Sequence, residues 1–190
     1  MSDVPARPPS PVPPRRRSVI GAILAWARDL ALSVVIAFVV IIFIYQPVKV
    51  EGNSMLPGLV DQERIFVNKF GYRFGIGSIE RGDLIVFWYP GDLSKSFIKR
   101  VIALPGDTIE IDRGTVILNG RPLREDYVPA EYRDSISMPP RKVDPGKYFV
   151  LGDHRNSSND SRSGWLAPRS SIYGRAVFVY WPLARLGPLK

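Results

Sequence analysis

Two residues of this 190-residue chain, a serine and a lysine, carry side chains that can together form a hydrolase that needs no histidine. Ser54 lies in the turn-forming segment GNSMLPG (residues 52–58), shortly after a long apolar run. Lys99 lies inside an apolar strand pattern, and because alternate side chains of a strand share a face, it stands between Phe97 and Val101. Burial on that face would lower the pKa of the lysine, and its neutral amine would accept a proton from a serine hydroxyl.

Each of these residues also has a plainer interpretation, which its local pattern alone favours. Ser54 would then cap an ordinary turn, and Lys99 would face solvent on an amphipathic strand. A turn that contains glycines can nevertheless offer a serine hydroxyl together with backbone N–H groups for an oxyanion. A third segment, GDHRNSSNDSR (residues 152–162), is polar. It forms either a solvated loop or a hydrogen-bond network in which Asp160 and Arg162 pair and brace a site.

The serine follows a segment that is suited to crossing a membrane. Residues 30–45 are apolar apart from Ser33, and residues 26 and 27 extend the run towards the roughly 20 residues that a membrane span needs. A group of arginines precedes the run, so the positive-inside rule places the N-terminus in the cytoplasm and the remainder outside. No small-x-small cleavage site follows, which favours an uncleaved anchor over a cleaved signal peptide, and the apolar circumference argues against a core helix.

Three regions are therefore predicted along the chain. Residues 1–17 form a disordered cytoplasmic tail rich in proline and arginine, residues 18–46 a membrane anchor, and residues 47–190 an extracytoplasmic β-rich domain. The fold class is mainly β: a single N-terminal transmembrane helix followed by an antiparallel β-sheet catalytic domain, with a small inserted lobe at residues 105–145.

Short apolar runs separated by turn residues locate the strands of this domain. The dipeptide Asn119-Gly120 is typical of a type I′ hairpin turn. No long amphipathic helix is predicted after the anchor. The predicted strands cover residues 48–50, 64–68, 83–89, 97–103, 108–111, 115–118, 121–123, 147–151 and 176–181.

Composition removes several classes of function. The chain has no cysteine, which excludes disulfides, thiolate metal sites and cysteine nucleophiles, and its one histidine, His154, excludes a metal site built from several histidines. No metal or cofactor is expected. The net charge of +8 comes from dispersed basic residues and from the arginines at 15–17, which suit anionic lipid headgroups better than a nucleic acid.

Four segments behind the anchor, taken in order, resemble the sequence boxes of bacterial type I signal peptidases, the membrane-anchored Ser–Lys proteases. These segments are residues 52–57, 81–87, 98–107 and 152–162. The resemblance implies that this protein is a serine endopeptidase that removes signal peptides from secreted preproteins. It would cleave after small residues of the Ala-x-Ala type, through an acyl-enzyme and without a cofactor. The enzyme would be a monomer in the cytoplasmic membrane, in contact with lipid, with its catalytic domain on the outer side.

The resemblance also assigns roles to single positions. Ser54 matches the acylated nucleophile and Lys99 the general base, while Ser158 matches a serine that orients the lysine amine. Asp160 and Arg162 match a bracing pair. Gly52 stands where some members carry a serine whose hydroxyl is the second oxyanion donor, so the identity of that donor in this chain stays open.

Two other functions fit the same residues. His154 could be the base for Ser54 in a Ser-His-Asp hydrolase, in which case His154→Ala abolishes activity; with Lys99 as base, the same change leaves the rate near wild type. The chain could instead be a non-enzymatic, membrane-anchored β module that binds a partner.

Overall fold

The computed structural model describes residues 19–73 and 77–189, so the predicted tail at residues 1–17 lies outside the described residues. The first element of the described residues is helix α1 (Val19–Ile44). Within it, Val19–Ile41 is long and apolar enough to cross a membrane, with a mean hydropathy of 2.1. Its many β-branched residues are poor helix formers in water, but a helix is the form that satisfies every backbone group internally in lipid. The helix up to Val40 is one compact unit, and residues from Ile41 onward form a second.

In the described part of the second unit there are twelve strands, one short α-helix, α2 (Phe70–Arg73), and several 3-10 turns. The strands are β1 (Tyr45–Lys49), β2 (Arg64–Asn68), β3 (Leu84–Trp88), β4 (Ser96–Ala103), β5 (Thr108–Asp112), β6 (Thr115–Leu118), β7 (Arg121–Pro122), β8 (Met138–Lys142), β9 (Lys147–Leu151), β10 (Ala167–Pro168), β11 (Ile172–Trp181) and β12 (Gly187–Pro188).

These strands form two antiparallel sheets. The main sheet has the order β1-β2-β11-β3-β4-β9-β10, with β12 paired to β11, and the smaller sheet has the order β7-β6-β5-β8. The hairpin between β6 and β7 turns at Asn119 and Gly120, whose φ angles of 50° and 78° are the positive values that a type I′ turn requires. The smaller sheet lies within residues 108–142 of the chain.

The predicted fold class is confirmed: the domain is mainly β, its sheets are antiparallel, and one apolar helix precedes it. The predicted bounds of β2, β6 and β9 agree with the structure. Three short strands, β8, β10 and β12, were not predicted, and each contains proline, which removes a backbone donor and is confined to edges and strand ends. Strand β11 begins at Ile172, four residues before its predicted start. The prediction began too late because Gly174 and Arg175 interrupt the apolar pattern of the sequence.

Packing of apolar side chains fixes both the serine turn and the lysine strand. Met55 and Leu59, which follow the serine, are buried with Ile65 of β2 and Val86 of β3. Complete burial of such a side chain stabilises the fold by about 1.5–3 kcal/mol, so these contacts hold the turn against the main sheet. A second cluster joins the ends of β4 and β9 to the smaller sheet, and a third packs around Val101 of β4.

Candidate active site

Ser54 lies in a turn between β1 and β2 whose backbone is held at its start by a carboxylate. The N–H of Gly52 donates to Asp61 Oδ1 at 2.8 Å, and this hydrogen bond holds the pKa of Asp61 below its ordinary value. Gly52 has a φ of 92°, a left-handed conformation in which any other residue would be strained. At the other side of the serine, Met55 is only 3% exposed. The turn is therefore fixed on both sides of the hydroxyl.

The end of this turn is held by an arginine from the C-terminal segment. Arg185 Nη2 donates to the carbonyls of Pro57 and Gly58 at 3.1 Å each. Its guanidinium also pairs with the buried carboxylate of Glu63, whose second oxygen accepts the N–H of Val60 at 2.9 Å. This contact was not predicted, because nothing in the local sequence links residue 185 to residues 57–63.

Lys99 reaches the serine from strand β4. Its Nζ lies 2.6 Å from Ser54 Oγ, and the residue is only 4% exposed, so the solvent-facing interpretation is wrong. Burial lowers the pKa of Lys99 to about 8, although the carboxylates of Asp160 and Asp153 offset part of that effect. About a tenth of the amine is then neutral at pH 7 and able to accept a proton.

The predicted pair of Asp160 and Arg162 is present and lies at the centre of a polar network. Arg162 donates to both carboxylate oxygens of Asp160, from Nε at 2.8 Å and from Nη2 at 2.7 Å. Asp160 is wholly buried and also accepts the N–H of Gly152 at 3.1 Å. Arg162 in turn pairs with Asp134 and donates to the carbonyl of Arg155 at 2.8 Å. These bonds join both ends of the 152–162 loop.

Two further buried ion pairs hold the same loop, and neither was predicted. Arg100, next to Lys99 in β4, donates to both oxygens of Asp153 at 2.8 and 2.7 Å. Arg155 binds Glu125 in the same way at 2.9 and 2.6 Å. The only available signal was the presence of charged residues within or beside apolar strand patterns, and it does not identify partners.

Gly152 allows the loop to approach the serine closely. A Cβ at this position would lie 2.4 Å from the carbonyl oxygen of Ser54 and 2.3 Å from Ser158 Oγ, which is closer than atoms pack. The Ser158 hydroxyl is buried and has no hydrogen-bond partner among the described residues, so it does not bond to Lys99 in this structure.

His154 contacts the backbone of the serine turn and not the serine hydroxyl. The backbone N–H of His154 donates to the carbonyl of Ser54 at 3.1 Å, and the ring Nδ1 lies 2.9 Å from the carbonyl oxygen of Asn53. The group that lies beside Ser54 Oγ is the Lys99 amine. The geometry therefore favours the lysine as base over His154.

Ser54 and Lys99 open onto a cleft of about 680 Å³. One wall is formed by residues 46–52 and the other by residues 94–99, while Val86 and Tyr173 also line it. In the part of the chain that the structure describes, no group of three His, Asp or Glu residues is arranged to hold a metal ion.

Comparison with known proteins shows the family of this chain. The family model described as signal peptidase, peptidase S26, matches residues 23–181. The chain belongs to this signal peptidase family. Family membership makes the protein a serine endopeptidase, so the interpretation as a non-enzymatic binding module is wrong. The matched range includes the serine turn, the lysine strand and the 152–162 loop, and it ends before Arg185.

Individual relatives in the family match most of the chain. The signal peptidase I of Leptolyngbya laminosa is 37% identical over 99% of this chain and 94% of its own length. The signal peptidase I of Bacillus amyloliquefaciens is 39% identical over 83% of this chain and 84% of its own length. Signal peptidase I S of Bacillus subtilis (strain 168) is 38% identical over 85% of this chain and 90% of its own length.

Proposed function

We propose that this protein is a membrane-anchored signal peptidase that cleaves signal peptides from exported preproteins, with Ser54 as nucleophile and Lys99 as general base. The observation that carries the proposal is the 2.6 Å distance between Lys99 Nζ and Ser54 Oγ. A general base must lie within about 2.6–3.2 Å of the proton that it abstracts. Burial brings the pKa of that amine to about 8, so a fraction of it is neutral near pH 7.

The reaction follows from this pair. The neutral Lys99 amine accepts the hydroxyl proton while Ser54 Oγ attacks the scissile carbonyl and forms a tetrahedral intermediate. The resulting ammonium donates the proton to the leaving amine, which departs as the new N-terminus of the mature protein. The amine then takes a proton from water, the hydroxide attacks the acyl ester, and Ser54 recovers its proton from Lys99.

The Ser54 N–H is the first donor to the oxyanion in this scheme. It has no acceptor among the described residues, so it is available to a substrate. The N–H of Gly52 is already bonded to Asp61 at 2.8 Å, which removes it as the second donor. Gly52 supports the site through its backbone conformation, because a φ of 92° would strain any other residue there.

Ser158, Asp160 and Arg162 support the lysine. The unpaired, buried hydroxyl of Ser158 is available to bond to the amine and orient it once a substrate is bound. Arg162 and Asp160 fix the loop that carries Ser158, and their charges act on the amine in opposite directions: Asp160 raises the pKa of Lys99 and Arg162 lowers it.

The cleft suits an extended peptide. Strand β1 is the terminal strand of the main sheet and lines one wall, so a substrate can add to it as a further strand. Apolar side chains from Val50, Val86 and Ile98 line the cleft and leave room for small side chains. Cleavage after Ala-x-Ala sequences is consistent with this lining.

The anchor sets where the reaction occurs. We infer that helix α1 crosses the cytoplasmic membrane once, with residues 1–17 inside and the domain from residue 47 onward outside, in contact with lipid. The arginines before the helix support this orientation through the positive-inside rule. The protein then acts as a monomer on exported chains as they emerge.

Two variants test the dyad. In detergent, cleavage of a preprotein by Ser54→Ala and by Lys99→Met should fall at least about a thousandfold, because each removes one half of the proton-transfer pair. Met fills the volume of the lysine chain, so thermal unfolding of Lys99→Met should stay at or above that of the wild type. Lys142→Met, at an exposed lysine of the smaller sheet, is the matched control. Retention of activity in either catalytic variant, with folding intact, contradicts the proposal.

A further inference from the structure

His154 is the one histidine of the chain, and the proposed mechanism does not use it. It makes two contacts with consecutive carbonyls of the serine turn: its backbone N–H with Ser54 O at 3.1 Å and its Nδ1 with Asn53 O at 2.9 Å. A carbonyl oxygen can only accept, so Nδ1 must carry the proton in this contact. The ring is therefore a donor to the peptide that immediately precedes the nucleophile.

That peptide also contains the first oxyanion donor. The carbonyl of Asn53 and the N–H of Ser54 belong to one planar unit, and in a trans peptide they point in opposite directions. The cis peptides in the described part of the chain are Leu56-Pro57 and Trp181-Pro182, so the bond before Ser54 is trans. The Asn53 oxygen also accepts the N–H of Leu56 at 3.2 Å, so His154 and Leu56 together fix this oxygen and, with it, the direction of the Ser54 hydrogen.

The residues around the cleft separate the nucleophile from the imidazole. Among the described residues, those that line the cleft include Gly52, Ser54 and Met55 but not Asn53 or His154. Ser54 therefore borders the cleft, whereas the imidazole that holds the Asn53 carbonyl does not.

We propose that His154 is a positioning residue for the oxyanion site: by donating to the Asn53 carbonyl, it aims the Ser54 N–H at the oxygen of the scissile peptide. This role rests on the proposed function. His154 neither contacts the substrate nor takes the serine proton. It acts through the peptide plane, and the sequence-based expectation of a near-wild-type rate in His154→Ala is replaced by a moderate loss of turnover.

The surroundings hold the imidazole in place. The ring of Tyr132 packs edge-on against it, with centroids 4.6 Å apart. The next residue, Arg155, is fixed by its two hydrogen bonds to Glu125. A side chain that is packed and anchored in this way can hold a carbonyl in one orientation, as preorganised transition-state stabilisation requires.

The test compares kcat and KM in the purified full-length chain in detergent. His154→Ala should lower kcat by about tenfold to thirtyfold, less than complete loss of an oxyanion donor, and leave KM within about twofold. His154→Asn should recover most of kcat, because Nδ2 of asparagine occupies the same δ position as Nδ1. His154→Phe keeps a ring against Tyr132 but has no donor, and should resemble the alanine variant. Asn156 lies in the same loop as His154 and donates to the carbonyl of Glu131. Asn156→Ala removes that hydrogen bond and should keep the wild-type kcat.

The outcomes separate this role from its rivals. Wild-type kcat in His154→Phe overturns the proposal, since ring packing would then suffice, and so does a failure of His154→Asn to exceed His154→Ala. Inactivity of His154→Asn, with Lys99→Met still active, makes His154 the base and overturns the Ser–Lys scheme as well. An inactive Lys99→Met together with recovery in His154→Asn supports both assignments.

Discussion

The two sheets of the domain make opposite contributions to the catalytic site. The main sheet, with the turn between β1 and β2, carries the proposed reacting groups, the Ser54 hydroxyl and the Lys99 amine. The smaller sheet and its loops (residues 105–145) supply carboxylates that bind arginines of the site loop, Glu125 to Arg155 and Asp134 to Arg162. Lys99 forms no ion pair among the described residues, whereas Glu125 and Asp134 each pair with an arginine.

The difference has an electrostatic reason. A lysine that pairs with a carboxylate keeps its proton, and in the described part of the chain no carboxylate forms an ion pair with Lys99. The buried arginines have no catalytic need to lose a proton, and an unpaired charge in their position would cost about 3–5 kcal/mol. The site therefore needs an unpaired lysine beside paired arginines.

The largest difference in kcat between the two regions should come from glycine-to-alanine substitutions, one at Gly152 and one at Gly120. Gly152→Ala places a methyl group 2.4 Å from the Ser54 carbonyl oxygen and 2.3 Å from Ser158 Oγ, so the nucleophile must shift relative to Lys99. A displacement of about 1 Å can cost about a hundredfold in rate, and we expect a loss of kcat of that size.

Gly120→Ala, in the hairpin of the smaller sheet, is the matched control. Nothing lies within 4 Å of a Cβ there, but its φ is 78°. The change should cost about 1–2 kcal/mol of stability through backbone strain and leave kcat unchanged. Equal losses of kcat in the two variants would remove the distinction between the regions.

A smaller effect should appear in the pH dependence. With burial bringing the pKa of Lys99 to about 8, kcat/KM should rise about tenfold from pH 7 to a plateau above pH 9, as the amine loses its proton. The ordinary value is 10.5, so the unfolded state binds more protons between pH 8 and 10.5, and stability should rise with pH in that window.

Tyr127 of the smaller region should not titrate in the same range. Burial, and next the charge of Glu125, raise the pKa of Tyr127 above its ordinary value, so its hydroxyl stays neutral there. The profile should persist in Tyr127→Phe. A rate that is flat between pH 6 and 9 in the wild type would contradict the assignment of Lys99 as the base.

The smallest effect on turnover should come from the ion pairs of the smaller region. Glu125→Ala leaves the buried guanidinium of Arg155 without its carboxylate and should lower the free energy of unfolding by about 3 kcal/mol, measured by urea denaturation. The kcat of the folded protein should fall only a few-fold. Asp126→Ala breaks the neighbouring, exposed pair with Arg124 and should leave the urea midpoint close to that of the wild type. If Glu125→Ala lost as much kcat as Gly152→Ala, Glu125 would have a direct catalytic role.

Local patterns and the family resemblance together indicated the residues of the proposed dyad but not the way in which they are held. Alternation along β4 predicted that Lys99 stands between apolar neighbours, and the structure buries it. The pattern could not show that Arg100, on the opposite face, is also buried, because that depends on Asp153. Strand β8 was missed since two of its five residues are prolines, which a sheet accepts only where the neighbouring strand does not need their donors.

The sequence by itself indicated the family, an apolar N-terminal helix, the β-rich fold and, through the resemblance to the family, Ser54 and Lys99 as the proposed nucleophile and base, because these depend on residue types and on short motifs. Only the tertiary structure decided which atoms meet. Ser54 and Lys99 are 45 positions apart, and Asn53 and His154 are 101 apart. Contacts over such separations depend on how strands pair and on how loops pack, so a pattern that repeats every few residues cannot encode the direction in which the Ser54 N–H points.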